Sequence, residues 1–211
     1  MRDTEVRSSG QTGNGRRDAP RVHPLVAIGA SAGGLAALEK VFSGLPERSG
    51  AAYVVLQHLS PDFESHMSQL LGRVTALPVT QATDRIELKP DRVYVIPPKK
   101  EMILSAGRLL LTDKDPRNAP SLPIDTFFRS MAQECGRRCI AVVLSGTGSD
   151  GARGIEEVKG AGGYVIVQQP DDAEFSGMPE SSVATGVADQ ERRDCHQLPV
   201  DVIEPASASR A

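Results

Sequence analysis

No apolar run in this chain approaches the roughly 18 consecutive residues that a membrane-spanning helix needs, and the N-terminus lacks the apolar core of a secretory signal. Neither membrane insertion nor export is therefore expected, and the protein should be cytoplasmic. Cysteine is scarce and odd in number. Cys135, Cys139 and Cys195 do not make a disulfide framework and suit a reducing compartment. With His196 they are too irregularly spaced for a convincing zinc site, so no metal is expected. Positive charge is not in excess: 24 Lys and Arg against 27 Asp and Glu leave a net charge of -3, which argues against nucleic acid as the main partner. What is present is 211 residues, 39% hydrophobic and 24% charged, enough for one well-buried domain and short for two.

Residues 1–23 are polar, glycine-rich and nearly devoid of large apolar side chains, so burial cannot offset the entropy of ordering them. They are expected to form a flexible tail. Residues 204–211 (EPASASRA) are similar in kind and should be a tail or linker, leaving 24–203 as the domain. Within it, short β-branched runs alternate with helix-like segments, the pattern of parallel strands joined by crossover helices. Strands are expected at 25–29, 52–57, 92–97, 140–145 and 164–168, and helices at about 33–44, 63–73, 123–136, 151–161 and 178–185. The segment EMILSAGRLLLT (101–112) should instead be an antiparallel hairpin turning at Ala106 and Gly107. The fold expected is α/β: a doubly wound, mainly parallel sheet flanked by helices.

The stretch Leu25 to Leu38, LVAIGASAGGLAAL, supports two chemistries. A dinucleotide fingerprint would place glycine where Ser31 stands. The variant loops of short-chain dehydrogenases tolerate this, but they need a tyrosine with a lysine four residues on. Tyr53, Tyr94 and Tyr164 are followed at that distance by Gln57, Pro98 and Gln168. As Gly29-x-Ser31-x-Gly33 the run fits a nucleophile elbow, where small neighbours let a strand turn sharply into a helix and expose the serine hydroxyl. Backbone N–H groups and the positive end of the helix then face the same space, where an oxyanion could be held. A blander possibility is that Ser31 only caps the helix.

A serine needs a base, and the base an orienting acid. Functional groups in parallel sheets gather beyond the carboxyl ends of strands. Of the four histidines, His58 alone follows directly on an expected strand, AYVVLQ. The acid comes from IAVVLSGTGSDGARG, where Asp150 sits in a glycine-rich turn before a helix. Asp150 would serve equally well as a helix cap. The order serine, histidine, acid differs from that of α/β-hydrolases and of the familiar serine proteases.

The motifs IGASAGG, VVLQH, RVYVIPP, LPIDTFFRSMA, VVLSGTGSDGARG and FSGMPESSVATG, in this order from Leu25 to Val187, resemble the catalytic domain of CheB-type chemotaxis protein-glutamate methylesterases. The resemblance implies a doubly wound, mainly parallel sheet and a hydrolase acting on glutamyl methyl esters of chemoreceptor cytoplasmic helices, in many members also on receptor glutamines. It implies Ser31 as nucleophile, His58 as general base, Asp150 as the residue orienting the imidazole, and no cofactor. Met178 of the Gly-Met-Pro segment would lie beside the substrate. Thr147 stands where the family commonly has methionine near the oxyanion site, and Ala32 where threonine often follows the nucleophile. Backbone donors at Ala32 and Thr147 survive either change. The family's usual N-terminal receiver domain has no counterpart in the residues before the first strand. A methyltransferase or sensory module is a further possible partner, since similar esterase modules occur in such fusions.

The alternatives kept open are a noncatalytic regulatory module of a chemosensory pathway and a nicotinamide-binding oxidoreductase. The run TDKDPRN brings Asp113, Asp115 and Asn118 together, but glycine and glutamate are missing where a calcium loop needs them. The basic pairs Lys99–Lys100 and Arg137–Arg138 are expected to be solvated.

Overall fold

The computed structural model describes residues 23–57, 66–114 and 121–193. His58, Asp115, Asn118, Cys195 and His196, and nearly all of both expected tails, lie outside them. The described chain runs β1 (Leu25–Ala30), α1 (Gly34–Ser43), β2 (Ala52–Gln57), α2 (Met67–Val74), β3 (Val79–Gln81), β4 (Ile86–Glu87) and β5 (Arg92–Val95). It continues through β6 (Lys100–Ser105), β7 (Arg108–Asp113), α3 (Pro123–Cys135), β8 (Cys139–Val143), α4 (Ala152–Gly160), β9 (Tyr164–Gln168), α5 (Gly177–Val183) and β10 (Gln190–Arg192).

Seven strands form one parallel sheet in the order β10-β9-β8-β1-β2-β5-β3. Every residue of β1 and β8 is buried, which is why both read as unbroken apolar runs: helices cover both faces. Alternation along β1 divides the core. Val26, Ile28 and Ala30 pack with Leu38, Val41 and Phe42 of α1 and with Leu71 of α2. Leu25 and Ala27 face the other side, with Ile124, Phe127 and Phe128 of α3, Ile155 of α4 and Met178 of α5. Each fully buried large side chain of this kind contributes about 1.5–3 kcal/mol.

From β1 the chain winds outward through β2 with α1 and α2 on one face. It then returns to β8 and winds the other way with α3, α4 and α5 on the opposite face. The reversal leaves a crevice between the carboxyl ends of β1 and β8, the switch point where ligands of such sheets bind. α3 begins with Pro123 in its first turn, a position that needs no N–H partner.

The expected hairpin is present, with Ala106 at φ 49° and Gly107 at φ 71°, both in the left-handed region that suits a two-residue turn. It is the larger part of a three-stranded antiparallel sheet, because β4 adds to β7. This sheet is tied to α3 where Leu104 N–H donates to Ser130 Oγ (3.0 Å) and Gly107 N–H to Glu134 Oε1 (3.0 Å). Strands β3, β4 and β10 were not expected. Each is two or three residues long and carries at most one apolar residue (VTQ, IE, QER), too short for a period of two to register. Lys100 is partly exposed and also paired: its ammonium meets Asp113 Oδ1 at 2.6 Å, joining the two ends of the hairpin.

Candidate active site

Ser31 is the first residue beyond β1 and lies at the switch point, half-buried. Its N–H donates to Ser145 O (3.0 Å), and its own carbonyl accepts from Gly34 N–H (3.0 Å), closing the turn into α1. Glycine is required twice here. Gly33 has φ 68°, and a Cβ on Gly34 would lie 2.6 Å from that of Ala30, so only a bare backbone lets the helix start directly over the strand end. The residue preceding α1 is Gly33, with no side-chain cap. Ser31 is therefore not a helix cap, and its hydroxyl is not committed to that duty.

Ser145, just past β8, holds three strand exits together. Its N–H donates to Gln168 Oε1 at the end of β9 (2.8 Å), its hydroxyl donates to Ala32 O (2.9 Å), and it accepts from Phe175 N–H (3.0 Å). Gly146 N–H donates to Phe175 O (3.0 Å). A Cβ on Gly146 would come within 2.9 Å of Ser31 Cβ and 2.1 Å of Met178 Sδ, so this peptide is wedged between the Ser31 turn and α5. Met178 is wholly buried and its N–H donates to Gly146 O (2.8 Å); its side chain supports the Gly146 backbone from beneath. Thr147 is exposed, and Ala32 is half-buried. Neither main-chain N–H has a hydrogen-bond partner among the described residues.

Asp150, 5% exposed, occupies the N-terminal end of α4 but does not cap it. Its Oδ2 accepts from Ile124 N–H (3.0 Å) and its Oδ1 from Asp125 N–H (2.9 Å), the first turn of α3. An anion there is favoured by two orphan donors and by the helix dipole. Ile124 ties this corner to β1: its Cγ2 would stand 2.6 Å from a Cβ on Gly29 and 3.0 Å from one on Gly151. Ser31 thus follows β1 and Asp150 follows its neighbour β8, with Ile124 packed between the two corners. His58, next in sequence after Gln57, lies outside the described residues. Gln57 is the register partner of Ala30, the residue before Ser31.

The cap of α4 is instead Asp125, whose Oδ1 accepts from Gly151 N–H (2.9 Å) and Gly154 N–H (2.7 Å). Burial pushes its carboxyl above the usual carboxylate range, the two N–H bonds oppose this, and the neighbouring Asp150 adds to it. A carboxyl with a raised folded-state pKa favours the fold most at pH below its ordinary value, and that contribution is lost as pH rises through the raised one. At neutral pH the charge is a net cost. Asp125→Asn keeps the accepting oxygen without the charge, so it should melt higher than the parent at pH 7. The gain should shrink toward zero as Asp125 protonates in acid. Melting curves across pH test this, and a gain that does not change with pH would contradict it.

Two cavities compete for attention. One of about 370 Å³, walled by Leu25, Ala52, Leu104 and Cys135, opens at the starts of the strands, away from Ser31. The other, about 340 Å³ and open, runs from Gly33 and Ser145 between Ala37 and Lys40 of α1 and Asp171 to Glu174. The second borders the glycine turn that follows Ser31. Glu174 Oε2 would stand 2.9 Å from a Cβ on Gly33, so a carboxylate overhangs the turn, the wrong sign for a pyrophosphate. Cys135 and Cys139 are buried, and burial pushes their thiols up to about 11 and about 12, which makes them poor nucleophiles and metal ligands. Among the described residues no cluster of three His, Cys, Asp or Glu could hold a metal ion. No helix among them is long and apolar enough to cross a membrane.

Ser145, Gln168 and Asp125 escaped sequence reasoning. Ser145 and Gln168 are polar residues at the ends of expected strands, the same signal that picked out His58. Asp125, in the first turn of α3, carried no separate signal.

Fold and site together define a doubly wound α/β protein with a serine on a glycine turn at its switch point. The profile of the CheB methylesterase family matches residues 26–202, and the chain belongs to that family. It is 34% identical over 191 residues to a protein-glutamate methylesterase/protein-glutamine glutaminase of Pectobacterium atrosepticum, covering 89% of this chain and 54% of that one. It is 53% identical over 123 residues to an uncharacterised 104.1 kDa protein of Rhodobacter capsulatus, 58% of this chain and 13% of that one. The chain spans about half the length of the methylesterase relatives it matches. The crystal structure of the Thermotoga maritima CheB methylesterase catalytic domain superposes with a TM-score of 0.77 at 31% identity, covering 86% of this chain and 98% of that one.

Proposed function

We propose that this chain hydrolyses glutamyl methyl esters on the cytoplasmic helices of chemotaxis receptors. Ser31 attacks the ester carbonyl while His58 takes its proton. The oxyanion is held by main-chain N–H groups at Ala32 and Thr147, and methanol leaves with the proton returned by His58. Water activated by the same imidazole then releases glutamate from the acyl-enzyme. Asp150 orients the imidazole and stabilises its charged form. The same steps convert a glutamine amide to glutamate, with ammonia as the leaving group. No organic cofactor or metal takes part in this scheme.

The observation that carries this reading is the Ser31 turn: an uncapped serine at the switch point, fixed by Ser145, with Asp150 clamped at the neighbouring strand exit. Phe175, 40% exposed and held by its backbone to Ser145 and Gly146, offers an apolar contact for a substrate helix at the rim. The decisive measurement is volatile methanol released from radiolabelled methylated receptors of the same cell. Release at a rate above that of buffer supports the reading; none, with the protein folded and the receptors methylated, ends it.

A further inference from the structure

The two buried aspartates exchange helix ends. Asp150 precedes α4 but accepts from the first turn of α3, whereas Asp125 lies in α3 but accepts from the first turn of α4. They are also linked directly, because the Asp125 N–H is one of the donors to Asp150 while the Asp125 carboxylate holds the N–H of Gly151, the next residue along from Asp150. Asp125 therefore grips Asp150 from both sides, by its main chain at the carboxylate and by its side chain at the adjacent peptide.

On its far side Gly151 is tied into α4, where its carbonyl accepts from Ile155 N–H (2.9 Å). Gly151 sits at φ 98°, a region only glycine adopts readily, and it follows the exposed residues Thr147, Gly148 and Ser149. The helices are pressed together where these bonds run: a Cβ on Gly154 would lie 2.6 Å from Phe128 Cβ and 3.0 Å from Asp125 Cα. We propose that Asp125 is a positioning residue for the hydrolytic reaction, setting the direction of the Asp150 carboxylate through the bonds it accepts from Gly151 and Gly154. This rests on the function proposed above, with Asp150 as the orienting acid. Asp125 touches no reacting atom; its effect passes through Asp150. A misplacement near 1 Å in such a site costs about a hundredfold in rate.

The charge and the accepted bonds of Asp125 make opposite demands on conservative variants. Asn retains the accepting oxygen at the same reach and loses the charge, while Glu retains the charge and moves its oxygens by a methylene. Methanol release from methylated receptor should be measured for the parent, Asp125→Ala, Asp125→Asn and Asp125→Glu. Rates are to be divided by the number of sites that a serine-directed phosphonate labels, so that unfolded protein does not count. The expected result is a kcat about tenfold to a hundredfold lower for Ala and Glu with KM little changed, and a kcat for Asn within about threefold of the parent. Glu performing as well as Asn or better would overturn the inference, as would an Ala variant whose kcat per labelled site equals the parent's. If Ala does not fold, the order of Asn and Glu still decides. A parent that releases no methanol would instead remove the proposed function, and this inference with it.

Discussion

Ser31→Ala should reduce methanol release by about 10⁴-fold or more, to the background of the assay. Its melting temperature should stay within about 2 °C of the parent's. The two expectations have separate grounds. Activity falls because the proposed mechanism makes the Ser31 hydroxyl the attacking group: the described thiols are buried and pushed up in pKa, and the Ser145 hydroxyl is already bonded to Ala32 O and Phe175 N–H. Stability holds because the turn depends on the Ser31 main chain, through Ser145 O and Gly34 N–H, and the side chain caps nothing. Labelling by a serine-directed phosphonate should disappear in the same variant. Full methanol release by purified Ser31→Ala protein would show that the chemistry lies elsewhere.

Asp150→Ala should fail in both respects at once. Removing the carboxylate leaves the N–H groups of Ile124 and Asp125 without their buried acceptor, at a cost of about 2–5 kcal/mol and a fall in melting temperature on the order of 10 °C. Under the proposed mechanism it also removes the group that orients the His58 imidazole, with an expected loss of about 10⁴-fold in kcat. Asp150→Asn should fall between parent and Ala in stability, because one oxygen still accepts while the amide NH2 faces a second donor. Activity and stability measured on the same preparations separate two simpler roles. A residue that only capped α3 would lose stability and keep kcat per folded molecule; one that served only the imidazole would lose kcat and keep its melting point.

Much of the sheet was legible because a parallel sheet covered on both faces needs apolar side chains at consecutive positions, and LVAIG, AYVVLQ and IAVVL satisfy that demand on their own. The hairpin was legible through Ala106 and Gly107, which turn with positive φ. The strands that escaped, β3, β4 and β10, borrow their conformation from the backbone of a neighbour and carry no pattern in themselves. The site divides in the same way. Ser31 could be found because its glycines are demanded by local crowding. The sequence offered two uses for Asp150, in catalysis or as a helix cap, and the structure adds that the helix it serves is α3, some 25 residues earlier in the chain.

The sequence by itself determined the order of the longer strands, the hairpin and the helices, the glycine turn that presents Ser31, and the family, since each depends on residues adjacent along the chain. Only the tertiary structure decided that Ser145 ties three strand exits together, that Met178 supports Gly146 from below, and that Asp125 and Asp150 cap each other's helices. Those are hydrogen bonds and contacts between segments brought side by side by the reversal of winding at β1. A carboxylate's partner is set by which N–H groups the packing of α3 on α4 leaves within reach, and no local pattern records that.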